Sequence, residues 1–120
     1  MSEKMAIVCN GDKTPSIMTT LIFGTSGLAL DYDVHVFICP TAAHWMVKGE
    51  LEKLGTPKGL PNPVKLFNDL VELGGNVVFC ELGFESKDIK PEDLRDSRIQ
   101  VKKAPPFLMQ VEGAAQTYDF

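Results

Sequence analysis

Short apolar runs alternate with longer helical segments along this chain of 120 residues. Continuous apolar runs rich in β-branched residues are typical of strands buried in a parallel sheet. On this pattern we predict strands at Met5–Cys9, Val34–Cys39, Asn76–Cys80, Arg98–Val101 and Thr117–Phe120. Because strands and helices alternate, the pattern predicts a parallel sheet with helices on both faces.

Proline directly after a capping residue marks the start of two predicted helices. Thr14 precedes Pro15 and Asn62 precedes Pro63, an arrangement that favours a side-chain cap followed by proline at the first helical position. The first helix is predicted to reach about Leu30, and the second is predicted to end at Gly74. Shorter helical segments are predicted at 41–48, 81–88, 91–94 and 105–115.

The first predicted helix has no charged residue between Thr14 and Leu30. A helix that is apolar on all sides is buried on more than one side. One sheet covers only one side of it, so we predict that a second subunit covers the rest. The whole chain, residues 1–120, is predicted to form one domain with three α/β/α layers and a five-stranded, mostly parallel sheet.

Charge and hydropathy narrow the function classes. The formal net charge of -4 argues against a nucleic-acid binder, which normally presents a basic face. The longest uncharged stretch, residues 14–30, is shorter than the roughly 20 residues that span a bilayer, so no membrane insertion is expected. The N-terminus lacks the layout of a signal peptide, and a cytoplasmic location is predicted.

The three cysteines Cys9, Cys39 and Cys80 are each the last residue of a predicted strand. In a parallel sheet these positions share the carboxyl edge, where open α/β sheets bind ligands. If the first three strands are neighbours, the thiols are expected to line one crevice. No Cys-x-x-Cys pair is present, and neither a metal site nor an organic cofactor is predicted. A buried structural thiol is the favoured interpretation for Cys9 and Cys39, whereas a reactive thiol is favoured for Cys80.

Cys80 precedes a polar turn, where backbone N–H groups are able to stabilise a thiolate, the form that attacks sulfur. Glu81 and Glu85 would instead raise the pKa of the Cys80 thiol if their carboxylates point inward. His44 is a second candidate catalytic residue, since it follows Cys39 on a short helix at the same sheet edge. It is predicted to hold the Cys80 thiolate or to move its proton, with a subunit contact as the alternative role.

Several segments carry a resemblance to a known family. In Gly74–Cys80 a glycine-containing helix end leads into a strand that finishes on cysteine, and an Ile-x-x-x-Asp-Leu element follows at Ile89–Leu94. The apolar start Met5–Asn10 and the second strand Asp33–Ile38 fit the same order. On these segments the chain resembles the DsrE/DsrF-like (DsrE/TusD-type) family of sulfur-relay proteins.

The resemblance implies a doubly wound, YchN-like fold with the flavodoxin-like strand order 2-1-3-4-5, assembled as a homo-oligomer, a trimer or hexamer. It also implies that Cys80 carries sulfur as a persulfide and exchanges it with a thiol carrier protein of the TusA type. The leading hypothesis is therefore a sulfur carrier or sulfurtransferase that holds sulfane sulfur or a thiosulfonate group on Cys80, with Cys39 and Cys9 as possible auxiliary thiols.

Two other functional classes remain as alternatives to the sulfur carrier. One is a non-catalytic assembly subunit with inert thiols, for which the uncharged first helix is equally suitable. The other is a flavodoxin-like binder of a small ligand at the loop Asn10–Thr14, which precedes a helix N-terminus. That loop has one glycine and no Gly-x-Gly-x-x-Gly pattern, so this class is less favoured.

Overall fold

A computed structural model of the protein describes residues 2–120 and contains one sheet of five strands. Every neighbouring pair of strands is parallel, which confirms the predicted α/β class. The strands are β1 (Lys4–Cys9), β2 (Asp33–Ile38), β3 (Asn76–Cys80), β4 (Gln100–Lys102) and β5 (Gln116–Asp119). The helices are α1 (Thr14–Ala29), α2 (Pro63–Glu72), α3 (Leu82–Ser86) and α4 (Ala104–Gln110), with 3₁₀ segments at Pro40–Met46, Glu52–Leu54 and Pro91–Asp93.

The two predicted helix caps have different outcomes. The Asn62 side chain accepts a hydrogen bond from the Lys65 backbone N–H, at 3.1 Å, so the predicted cap of α2 is confirmed. The cap predicted at Thr14 is wrong, because Lys13 occupies the N-cap of α1 and makes no side-chain capping bond. Thr14 is itself the first helical residue, one position earlier than predicted.

The predicted strand order 2-1-3-4-5 is wrong. The observed order is β4-β3-β2-β1-β5, so β2 lies at the centre of the sheet. All residues from Val34 to Ile38 are buried, and the predicted order would have left this strand at an edge with one side unpaired. The polar, partly exposed strands β4 and β5 occupy the edges instead.

Helices of unequal extent cover the two faces of the sheet. The main core lies between the sheet and α1, α2, α3 and the first 3₁₀ segment. The chain advances in one direction from β1 to β4, and α4 then returns it to the other edge, where β5 pairs with β1. Right-handed crossovers therefore put α4 alone on the opposite face. We call this second layer the α4 face; it comprises Phe37, Val78, Cys80 and Phe107, with Val8, Cys39 and Val111 at its margin.

Part of the uncharged helix α1 is covered within the chain. Helix α2 packs along it, and a Cβ on Gly24 would lie 3.1 Å from Leu70 Cδ1, so the glycine lets the two helices approach. Phe23 remains 36% exposed on the outer side. The second subunit predicted to cover that side stays a prediction.

Gly27 allows α1 to lie close to the sheet. A Cβ there would lie 2.7 Å from Met5 Sδ and 2.9 Å from Val34 Cγ2, closer than these atoms pack. Overpacking of this kind costs about 1–3 kcal/mol, and the better helix propensity of alanine returns about 1 kcal/mol. We therefore expect Gly27→Ala to lower the free energy of unfolding, as measured by urea denaturation.

A matched substitution in the same helix controls for helix propensity. Ser26 is exposed, so Ser26→Ala is expected to leave the unfolding free energy unchanged or slightly raised. A Gly27→Ala variant as stable as Ser26→Ala would contradict the close approach of α1 to β1 and β2.

Candidate functional site

The three cysteines lie at the carboxyl edge of three neighbouring strands. Cys9 ends β1, Cys80 ends β3, and Cys39 follows Ile38, the last residue of β2. All three are free thiols. Their shared edge agrees with the prediction, but side chains alternate between the faces of a strand, so their thiols divide between the two faces.

Cys9 belongs to the main core, on the face of the sheet opposite to the other two thiols. It is 0% exposed, and its thiol is hydrogen-bonded to the Thr20 side chain and to the backbone of Gly11. Burial raises the pKa of Cys9, which the two hydrogen bonds only partly offset. The expectation that all three thiols line one crevice is therefore wrong for Cys9.

Cys39 and Cys80 share the α4 face. The last paired residues of β2 and β3 are Ile38 and Phe79, and the two cysteines are the next residue on each strand. Cys80 is 3% exposed and packs in the same cluster as Phe107 of α4. Cys39 is half-buried at the margin of that cluster, so it is the outer of the two thiols.

The segment after Cys80, which was predicted to place backbone N–H groups near its thiol, packs on the opposite face of the sheet. Helix α3 packs on the main-core face, where a Cβ on Gly83 would lie 2.9 Å from Phe79 and 3.0 Å from Ala43. Because Cys80 points to the α4 face, the short α3 helix lies on the other side of the sheet from its thiol. Glu81 and Glu85 are exposed and do not point inward.

His44 lies on the 3₁₀ segment Pro40–Met46, whose buried residues belong to the main core. Its ring packs against Trp45, with the ring centroids 4.2 Å apart, and the Trp45 indole donates to the Gly11 carbonyl. Within residues 2–120 the structure records no hydrogen bond between His44 and Cys80. The catalytic role predicted for His44 stays a prediction.

Two residues that the sequence interpretation did not single out hold α4 over Cys80. The Phe107 ring, 2% exposed, packs against Phe37 with centroids 4.7 Å apart. Gln110 binds three elements of the sheet: its side-chain oxygen accepts from Lys102, its backbone carbonyl accepts from Lys4 at 2.8 Å, and its amide nitrogen lies 2.7 Å from His35 Nδ1. Phe107 and Gln110 thus hold the seven-residue helix α4 against the sheet.

His35 is buried between α4 and the sheet. Since the Gln110 oxygen accepts from Lys102, its amide nitrogen donates to His35 Nδ1, which assigns the neutral ring proton to Nε2. Nε2 lies 3.0 Å from Asp33 Oδ2, but off the line of a good hydrogen bond. This arrangement fits the structural role predicted for His35.

Cys39 is expected to react slowly at neutral pH. Burial, together with smaller contributions from negative charge on Cys80 and Cys9, raises the pKa of Cys39 to about 11. Because only the thiolate reacts, the rate of alkylation by iodoacetamide at Cys39 should rise about tenfold per pH unit well beyond neutrality. Peptide-resolved mass spectrometry measures this rate, and a plateau near the free-thiol pKa of about 8.5 would contradict the burial effect.

Within residues 2–120 no helix is both long and apolar enough to cross a membrane. The same part of the chain contains no group of three or more His, Cys, Asp or Glu residues placed to hold a metal ion.

Comparison with known proteins gives a result at the level of fold. No protein-family model matches the sequence, and no curated protein matches it. Among solved structures, the fold is similar to the crystal structure of the YchN protein from E. coli, with a TM-score of 0.79 and 17% identity over 98% of this chain and 99% of that chain. It is also similar to a conserved protein of unknown function from Bacteroides thetaiotaomicron, with a TM-score of 0.65 and 10% identity over 98% and 95% of the two chains.

The protein therefore has an α/β fold with a five-stranded parallel sheet. In particular its fold is similar to that of YchN, as the sequence resemblance implied. At these sequence identities the similarity extends to the fold and no further.

Proposed function

We propose that the protein is an intracellular sulfur carrier or sulfurtransferase, with Cys80 as the residue that holds sulfane sulfur or a thiosulfonate group. The main support is the position of Cys80 at the carboxyl end of β3, beside the second thiol of Cys39, in a sheet with the YchN fold. Ligand sites in open parallel sheets lie at this edge.

The proposed reaction is a pair of thiol exchanges. The Cys80 thiolate attacks the sulfane sulfur of a donor, a new S–S bond forms at Cys80 Sγ, and the donor's remaining sulfur leaves as a thiolate. A partner thiolate then attacks the outer sulfur, which moves to the partner while the Cys80 thiolate leaves. Both steps are balanced without a metal or an organic cofactor.

Access to Cys80 requires α4 to move, because the thiol is 3% exposed. Phe107 is the one buried residue of this seven-residue helix, and α4 carries two large exposed hydrophobic side chains, Leu108 and Met109. Short elements with few buried contacts open locally at low free-energy cost. We therefore assign α4 the role of a cover that a donor or partner displaces.

The proposed partner is a thiol carrier protein of the TusA type, as the sequence resemblance implies, and the proposed location is the cytoplasm, where thiols stay reduced. The chain is proposed to form a homo-oligomer through the outer side of α1. A groove of about 300 Å³ lies there between α1 and β5, lined by Phe23, Leu30 and Tyr118. Sedimentation velocity tests this assembly, and a monomer at high concentration would contradict it.

His44 is retained in this proposal as an auxiliary residue at the same sheet edge, on the prediction from its sequence position. Its contribution is tested by His44→Gln, which removes the imidazole ring. An unchanged rate of sulfur loading would contradict the role.

Reaction of the reduced protein with tetrathionate tests the proposed function. Intact-mass spectrometry should reveal the addition of one thiosulfonate group per chain, and peptide mapping should locate it on Cys80. An adduct on Cys39 or Cys9 alone would assign the carrier role to that cysteine instead of Cys80. An unmodified protein would favour the alternative of an inert assembly subunit, which the burial of Cys80 supports.

A further inference from the structure

The two thiols of the α4 face occupy neighbouring positions on adjacent strands, at a spacing that suits a disulfide. Neighbouring strands in a sheet lie about 5 Å apart, and cysteines form a bridge when their Cα atoms are roughly 4.4–6.8 Å apart. The register continues from Ile38–Phe79 to the two cysteines, since Cys39 keeps an extended backbone and its N–H donates to the Cys9 carbonyl at 2.9 Å.

Both side chains also point the same way. Cys80 lies inside the cluster beneath α4, and Cys39 packs at the margin of the same cluster. Cys9, the third thiol, belongs to the main core on the other face. Cys39 is therefore the cysteine of this chain placed on the same face as the Cys80 sulfur, and its greater exposure puts it on the solvent side.

We infer that Cys39 is a resolving thiol, which attacks the Cys80 persulfide and releases its outer sulfur as hydrosulfide when no acceptor is bound. The inference rests on the proposed function, because it requires sulfur on Cys80. It adds a second outcome for that sulfur: reductive discharge within the chain instead of transfer to a partner.

The step is balanced. The Cys39 thiolate attacks Cys80 Sγ, an S–S bond forms between the two cysteines, and the bond from Cys80 Sγ to the outer sulfur breaks. The outer sulfur takes both electrons and leaves as hydrosulfide, with the proton that Cys39 gave up, while the two cysteines are oxidised to a disulfide. An external thiol of the glutathione class then reduces the bridge and restores both cysteines.

The raised pKa of Cys39 sets the speed of this step. With a pKa of about 11, Cys39 is almost wholly protonated at neutral pH, so attack on the persulfide is slow. A bound acceptor thiol of lower pKa reacts first. Discharge therefore removes sulfur that no partner has collected.

The experiment compares the wild-type protein with Cys39→Ser and Cys9→Ala after loading with inorganic polysulfide and removal of the excess. We expect the Cys39→Ser protein to keep a mass gain of one sulfur atom on Cys80, with a lifetime at least about tenfold longer than in the wild type, since attack within one chain is favoured over attack between chains. The wild type and Cys9→Ala should each release hydrosulfide and become two hydrogen atoms lighter than the reduced protein, with a Cys39–Cys80 peptide.

Two results would count against the inference in different ways. Equal persulfide lifetimes in the wild type and Cys39→Ser, or a disulfide that involves Cys9 or a second chain, would overturn the resolving role and leave sulfur carriage at Cys80 intact. A Cys39→Ser protein that never gains sulfur on Cys80 would overturn the proposed function, and the resolving role with it.

Discussion

Replacement of Cys80 by alanine is expected to abolish sulfur loading, from one sulfur atom per chain to background. The thiolate is the nucleophile in the proposed exchange, and no neighbouring group is placed to substitute for it on the donor, because Cys39 is held as a protonated thiol by its raised pKa. The measurement is the mass gain taken immediately after incubation with inorganic polysulfide, before discharge by Cys39 removes the sulfur. Alanine is preferred to serine because a hydroxyl buried at this position without a partner costs about 1–3 kcal/mol.

Cys9→Ala is the matched control for this variant. Cys9 is also a buried strand-end cysteine, but it lies in the main core on the other face of the sheet. It should load sulfur as the wild type does, and both variants should keep a cooperative thermal transition. Loading that persists in Cys80→Ala, or that is lost in Cys9→Ala, would contradict the assignment of the carrier thiol.

Phe107→Ala is expected to lower the free energy of unfolding and to uncover Cys80. Truncation of a buried phenylalanine costs about 3–5 kcal/mol, and Phe107 is the one buried residue of α4. With its ring gone, α4 loses its contact with Phe37 and opens more often. Labelling of Cys80 by a maleimide should therefore accelerate in proportion to the weakened docking of the helix.

Leu108→Ala provides the comparison within the same helix. Leu108 is 65% exposed, so its truncation should change stability by no more than about 0.5 kcal/mol. The maleimide rate at Cys80 should match that of the wild type. If Phe107→Ala and Leu108→Ala expose Cys80 equally, or if neither does, α4 is not the element that controls access.

Much of the local structure was predictable because each helix cap and each apolar run is encoded by residues that are close together in the sequence. The cap Asn62 with Pro63 fixed the start of α2, and the apolar run Asn76–Cys80 gave the bounds of β3. Strand order depends on contacts between distant segments, and the apolar runs of β1 and β2 look equally central in sequence. Burial on both sides of β2, and the return of α4 to the far edge, decide the order in the folded chain.

The candidate site was predictable in part for the same reason. That three cysteines end neighbouring parallel strands follows from their positions in the apolar runs. Which thiols share a face depends on how each strand is turned relative to the helices, and that depends on the crossover connections. The cover over Cys80 was not predictable, because Phe107 and Gln110 belong to a segment with no marked apolar periodicity and contact strands far away in sequence.

Transfer of labelled sulfur tests sulfur carriage by Cys80 most directly. Cys39→Ser protein loaded with heavy-isotope polysulfide sulfur, and freed of excess donor, would be mixed with a TusA-type acceptor carrying one reactive thiol. If Cys80 is a carrier, the label leaves its peptide and appears on the acceptor thiol in equal amount. Label that stays on Cys80, or label that reaches the acceptor equally from a Cys39→Ser protein also lacking Cys80, would contradict sulfur carriage by this residue.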